Sequence, residues 1–241
     1  MVDIIPAILE GSFVEIENKL ARVRGVAKTV QLDICDGVFT KAITWPYVSA
    51  PAEGKSFNYE ESFKKIVEEE AEMPFWEEID IELDLMVANV KRQLPDLLHI
   101  GPTRVIIHLA SLTKPIDDMH SIARSIPGMV EIGLAVLPTA DMNVVSAIID
   151  ERLISFVQCM GISEVGVQGS VADADVLEKT CSNLRFLREK FPTLVLSVDG
   201  GVNMSTAKAL TDAGATRLVS GSAIFSGESV QKTVAQMKSV I

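Results

Sequence analysis

The stretch Lys28-Thr29-Val30-Gln31-Leu32-Asp33-Ile34-Cys35-Asp36-Gly37 reads as a buried strand with polar groups set into it. Its apolar residues follow the run that starts at Val26, and Gly37 marks the turn where the strand ends. Side chains alternate along a strand, so Gln31, Asp33 and Cys35 share one face. A carboxylate at the carboxyl end of such a strand is costly to keep without a partner or a task. A helix N-cap or a buried ion pair would satisfy Asp33 as well as a functional role would, so the surrounding pattern has to decide.

Outward from that strand, strand-like and helix-like patterns alternate through the chain. Ile4–Leu9 is a short apolar run, and Ser12 caps a helix over Phe13–Arg24, with Glu15 at capping-box spacing. Further strands are expected at Ile79–Val87, Arg104–Leu109, Met129–Leu137, Leu153–Met160, Thr193–Val198 and Thr216–Ser220. Helical patterns fall at Tyr59–Ala71, Asn89–Leu98, Pro115–Ser125, Asp141–Asp150, Asp173–Lys190, Ser205–Asp212 and Ser229–Val240, with a break or bend at Pro95. This alternation predicts an α/β fold, a parallel (β/α)8 TIM barrel in a single domain over 1–241. A doubly wound open sheet would place its glycine-rich turn after the first strand, whereas these glycines follow the last three strands. An extended, partly irregular segment at 40–78 follows strand two. Its part from Thr40 to Asn58 is a binding-loop or lid candidate.

Composition narrows the function. The chain has 241 residues, 48% of them apolar, and a net charge of -11. That charge argues against a nucleic-acid surface, which needs clustered Lys and Arg. The three cysteines, Cys35, Cys159 and Cys181, are widely spaced and fit a reducing compartment. No signal peptide or membrane span is read from the chain, so the expectation is a cytoplasmic protein with no membrane partner.

In a barrel the active site forms at the carboxyl ends of the strands, and phosphate sites use the loops after strands seven and eight. Three glycine-rich turns fall there in succession: Gly166-Val167-Gln168-Gly169, Gly200-Gly201 and Gly221-Ser222. Glycine lets backbone N–H groups approach an anion closely, which makes a phosphate the expected ligand. Three carboxylates lie at the same end, Asp33, Asp84 and Asp199. Opposed carboxylates suit proton abstraction from one face of a carbon and delivery on the other, the chemistry of an epimerase. Few basic residues lie at the interior ends of these strands to pair with them. His108 ends strand four inside the same rim, as a substrate contact or a satisfied core or rim histidine. Met86 and Met160 stand at strand ends near the site, where packing is the ordinary role of Met, and His99 and His120 read as surface residues.

Six motifs, in order, resemble ribulose-phosphate 3-epimerase: Ile5-Pro6-Ala7-Ile8-Leu9, Gln31 to Gly37, Asp84-Leu85-Met86-Val87, Gly133-Leu134-Ala135 with Pro138-Thr139, Val198-Asp199-Gly200-Gly201 and Gly221-Ser222-Ala223-Ile224-Phe225. The resemblance implies that Asp33 and Asp199 are the acid/base pair acting on a small phosphorylated ketose, of the ribulose 5-phosphate/xylulose 5-phosphate type. It also implies a divalent metal held by these two Asp and two His. The chain departs from the pattern at those histidines, which are Gln31 and Asp84 here, at Ala7 and Cys35, and in the turn Ser163–Gly169. Asp33, Asp84, Asp199 and the Gln31 carbonyl remain as metal candidates. Such an oxygen set suits Mg²⁺ or Mn²⁺ before Zn²⁺, with no other cofactor. A homo-oligomer is expected. The alternatives are a non-catalytic phosphosugar-binding barrel and a related enzyme with another phosphosugar substrate. A decarboxylase-type Asp-x-Lys-x-x-Asp array is not met, since that strand reads Gln31-x-Asp33-x-x-Asp36.

Overall fold

The computed structural model describes residues 2–51, 57–163, 165, 173–227 and 229–241. Eight parallel strands close into a barrel: β1 (Asp3–Ile8), β2 (Thr29–Cys35), β3 (Asp80–Met86), β4 (Arg104–His108), β5 (Glu131–Val136), β6 (Phe156–Met160), β7 (Val195–Asp199) and β8 (Arg217–Ser220). Consecutive strands are neighbours, and β8 pairs β1 to close the ring. The expected (β/α)8 barrel is therefore the observed fold. Around it lie α1 (Phe13–Val23), α2 (Glu61–Val67), α3 (Val90–Leu97), α4 (Pro115–Ser125), α5 (Met142–Asp150), α6 (Ala174–Lys190), α7 (Ala207–Asp212), the single-turn α8 (Ser222–Phe225) and α9 (Val230–Ser239).

Local chemistry explains these elements. Ser12 Oγ accepts from Glu15 N, and Ile16, Leu20 and Val23 form the buried stripe of α1. Asp141, Asp173 and Ser229 cap α5, α6 and α9 in the same way. Pro95 does not break α3 where the sequence predicted it. The helix runs two residues further and passes into a 3₁₀ turn at Leu98–Ile100. The segment after β2 has more order than expected, because Tyr47–Ser49 pairs antiparallel with Asn58–Tyr59. The helix after it is shorter than the acidic pattern suggested, covering Glu61–Val67.

The strands bury apolar residues mainly on their outer face. Ile4, Ile8, Val30, Leu32, Ile34, Leu83, Leu85, Val105 and Ile107 join the helices in one cluster. The interior is different. Two small apolar groups, Ile5/Ala7/Val219 and Ile106/Ala135/Phe156/Met160/Ile162, flank a polar column. Gly133 makes room for the Phe156 ring, since a Cβ there would sit 2.3 Å from it. The Arg217 guanidinium lies 5.1 Å from the centre of the same ring and pairs with buried Glu82 of β3.

Asp36, fully buried just past β2, fixes the approach to the site. Its Oδ1 accepts from Val38 N and Phe39 N at 2.9 Å, and its Oδ2 from Ala88 N at 2.8 Å and Gln93 Nε2 at 3.1 Å. One carboxylate thus ties the turn after β2 to the turn after β3 and sets Phe39 against His108, ring centres 5.5 Å apart. Replacing Asp36 by Ala removes the acceptor of four donors, three of them part-buried and the fourth, Gln93 Nε2, still bonded to Ala88 O, so unfolding free energy should fall by about 2 kcal/mol in urea titrations, and by about half as much for Asp36→Asn. An Asp36→Ala midpoint equal to that of the parent would contradict this role.

Candidate functional site

The three aspartates predicted to converge do so. Asp33 ends β2, Asp84 sits beside it on β3 in register, and Asp199 ends β7. One carboxylate oxygen from each lies within 4.8 Å of the others. Asp84 is fully buried, while Asp33 and Asp199 are half-buried at the barrel mouth.

Each carboxylate is compensated by a neighbouring strand. Gln31 Nε2 donates to Asp33 Oδ1 at 2.8 Å and to Asp199 Oδ2 at 2.9 Å. Gly200 N–H donates to the Asp199 carboxyl. His108 Nε2 lies 2.8 Å from Asp84 Oδ1, and Gln158 Nε2 reaches Asp84 Oδ2 at 3.3 Å. Gln158 is held in turn by Ser197 Oγ, which donates to its Oε1 at 3.2 Å. His108 is therefore buried and directed at Asp84. The sequence expectation that few basic groups pair with these carboxylates needs correction, since the imidazole at the end of β4 faces inward. Gln158 and Ser197 were missed. Their signal was a single polar residue in the middle of an otherwise apolar run, Gln158 in Phe156–Met160 and Ser197 in Val195–Asp199.

Crowding raises the proton affinity of the pair. Burial, then the Asp199 and Asp84 charges, hold the Asp33 carboxyl well above the usual range. Burial and Asp84 push Asp199 up to about 7, against the opposing pull of Gln31, the Gly200 N–H and His108.

The remaining predicted site residues fall as follows. Gly200 and Gly201 end β7 with φ of 88° and 65°, a conformation open to glycine. Gly161 packs on them so closely that a Cβ would lie 2.1 Å from Gly200 O. Gly221 and Ser222 lead from β8 into α8, the short helix that barrel phosphate sites employ. Met86 is buried, its Sδ 3.8 Å from Cys35 Sγ. Gly166, Gln168 and Gly169 lie outside the described residues. All three cysteines are free and buried.

The donor set discriminates between metals. Three carboxylates this close, with buried Gln31 Oε1 lacking any hydrogen-bond partner, could hold a hard cation. No imidazole lone pair is offered to it, since His108 is engaged with Asp84. The residues fit an oxygen-ligated ion and not a nitrogen-rich zinc site.

The raised carboxyls fix a pH dependence of stability. A group that binds its proton more tightly when folded makes stability fall as pH rises from its unfolded value, about 4, through its folded value. Metal-stripped protein should lose stability as pH rises from about 4 through about 7, and Asp199→Asn should flatten that slope in urea titrations at stepped pH. Glu82, also raised by burial, gives a slope of the same sign. The comparison is therefore between variants, and equal slopes would refute the assignment.

Comparison with known proteins agrees with this geometry. The chain is 25% identical over 239 residues to ribulose-phosphate 3-epimerase of Schizosaccharomyces pombe, covering 99% of this chain and 93% of the relative. It is 24% identical over 241 residues to that of Bacillus subtilis, covering 99% of each. Among solved structures, KGPDC from Streptococcus mutans superposes with a TM-score of 0.63 at 13% identity, covering 100% of this chain and 97% of that one, a likeness of fold. The model of the ribulose-phosphate 3 epimerase family matches residues 62–225, which span α2, β3 to β8 and α8. The chain belongs to the ribulose-phosphate 3-epimerase family.

Proposed function

We propose that this protein, acting as one barrel domain, is an isomerase that interconverts phosphorylated ketoses differing at C3, of the ribulose 5-phosphate/xylulose 5-phosphate type. The observation that carries this reading is the Asp33–Gln31–Asp199 arrangement, two carboxyls joined by one amide, with Asp199 raised to about 7 and Asp33 held well above the usual carboxylate range. At neutral pH such a pair can hold one proton between two carboxyls, which is the state the reaction needs.

The ionised member takes the C3 proton, and the electron pair moves into an enediolate with the adjacent carbonyl. The protonated member then returns a proton to C3 on the other face. The pair thereby ends with its one proton exchanged between partners, ready for the reverse reaction. A divalent cation, Mg²⁺ or Mn²⁺ before Zn²⁺, would be held by Asp33, Asp84, Asp199 and the Gln31 carbonyl. When bound it supplies charge stabilisation to the enediolate.

The turns Gly200-Gly201 and Gly221-Ser222, with Gly166, Gln168 and Gly169, are assigned to the substrate phosphate. His108 and Met86 line the route to the reacting carbon. Phe39 packs at a tilt against His108 from the turn that Asp36 fixes. The partner is a small phosphorylated sugar and, in the working state, a second copy of this chain. Nucleic acid and membranes are not partners in this reading, and the cytoplasm is its assigned location. No helix among the described residues is long and apolar enough to cross a membrane. The non-catalytic alternative, a phosphosugar-binding barrel, draws on Gln31 and Asp84 standing where the resemblance implies metal-binding imidazoles.

Solvent-deuterium exchange at C3 of ribulose 5-phosphate decides between them, run on metal-stripped protein and after adding Mg²⁺, Mn²⁺ or Zn²⁺. Asp33→Asn and Asp199→Asn should each lower exchange about 10²–10⁴-fold while calorimetric binding of the sugar phosphate persists. Binding without exchange under every condition would leave the non-catalytic barrel.

The phosphate assignment has its own test. Asp tolerates the left-handed backbone of Gly201 better than most residues, so Gly201→Asp should fold while placing a negative group at the anion turn. Sugar-phosphate affinity should drop at least about 10-fold, the equivalent of about 1.4 kcal/mol. Unchanged affinity would remove this turn from the phosphate site.

A further inference from the structure

Gln31 is fully buried, and its side chain joins the two carboxyls that the proposed reaction uses. A primary amide has two N–H donors, so one bond to each carboxyl uses both. The barrel itself does not fix this pair. Between β7 and β2 lie β8 and β1, so no ladder bond relates Asp199 to Asp33. Each carboxyl keeps one oxygen outside the bridge.

We propose that Gln31 is the positioning residue of the acid/base pair, a neutral two-pronged donor that holds Asp33 and Asp199 together with no cation between them. The proposal rests on the reading of these two aspartates as the proton-transfer groups. Two like charges at this separation would otherwise drive the side chains apart or demand a cation. The amide reduces that repulsion and adds no charge of its own.

A second observation gives the proposal its content. Gln31 Oε1 is buried and lacks a partner. A cation shared by the bridged oxygens of Asp33 and Asp199 would meet N–H groups, and could bind only if the amide turned over to present Oε1. The amide bridge and such a cation are alternative ways to hold the same pair. The metal-stripped protein therefore already has its acid/base groups in place.

The test combines a spectroscopic and a kinetic readout on the full chain. In metal-stripped protein carrying ¹⁵N-labelled glutamine, the Gln31 side-chain signal is assigned by its loss in Gln31→Glu. Both of its protons should be protected from solvent exchange, and titration with Mg²⁺ should abolish that protection at the concentration where the ion binds. Gln31→Met keeps the volume and removes both donors, and Gln31→Glu keeps the shape while leaving at most the single O–H of a protonated carboxyl, which cannot bridge both groups. In either variant C3 exchange without metal should fall at least about 10²-fold in kcat with KM changed less than about 3-fold, and the acid limb of the pH profile should move upward. A freely exchanging Gln31 amide, or a folded variant with kcat within about 2-fold of the parent, would overturn the proposal. If the parent protects the amide but exchanges no C3 proton, the epimerase reading fails and the bridge stands. If parent and variants exchange C3 alike, the bridge fails and the epimerase reading stands.

Discussion

Three carboxylates gathered inside a closed barrel set the central constraint on this molecule. Asp33, Asp84 and Asp199 each offer an oxygen within 4.8 Å of the others, in a wall of strands buried on both faces. Charges of one sign in that setting cost several kcal/mol unless neighbours donate to them or protons neutralise them. Much of the polar interior answers to this. Gln31 serves two carboxylates, His108 and Gln158 serve the third, and Ser197 orients Gln158. The donors come from β2, β4, β6 and β7, half of the ring. Only a closed barrel lets strands far apart in order reach the same point.

The same geometry separates stability from chemistry. The outer faces of the strands pack on the helices in one continuous apolar cluster. Small apolar groups inside the barrel are split by the polar column. Glu82 and Arg217 form a second buried charge pair away from the mouth, and burial raises the Glu82 carboxyl despite its partner. Such a pair adds little net stability but would be costly to break from one side. The outer shell stabilises the fold, and the column is held within it.

The sequence made the fold legible because the barrel repeats one local rule. Apolar runs ending in polar or glycine residues alternate with capped amphipathic stretches, and Ser12, Asp141 and Ser229 cap where the pattern places them. The convergence of Asp33, Asp84 and Asp199 was legible for the same reason, since each ends its strand at one rim. What failed to show was the pairing among side chains. Gln31 was legible as a lost imidazole, with its carbonyl as a ligand, whereas its N–H groups face the carboxylates. A satisfied core histidine was among the readings of His108, but its partner was not legible, because strand order alone does not reveal that β4 aims its last side chain at Asp84. Pro95 falls inside α3 because the helix is ending there and a 3₁₀ turn follows. The pairing of Tyr47–Ser49 with Asn58–Tyr59 joins sequence too irregular to show a strand period.

The departures from the family pattern are physically coupled. An imidazole on a metal brings a neutral ligand to a cation, and the cation neutralises the carboxylates around it. Losing the imidazole at position 31 while keeping Asp33 and Asp199 would leave two like charges with weaker control over their separation. An amide at that position reduces the repulsion through two N–H donors and holds both groups in register. An aspartate at position 84 adds a third negative group, which His108 and Gln158 meet from the adjoining interior face. The two replacements therefore make sense together. Gln31 donates to both Asp33 and Asp199, the proposed acid/base pair, and Asp84 raises the proton affinity of both. A pair with high proton affinity is a stronger base toward carbon, which compensates in part for a weaker electrophile at the developing oxyanion. Under the proposed reaction the balance would rest less on charge supplied by a metal and more on basicity set by crowded carboxyls, within the frame of strands.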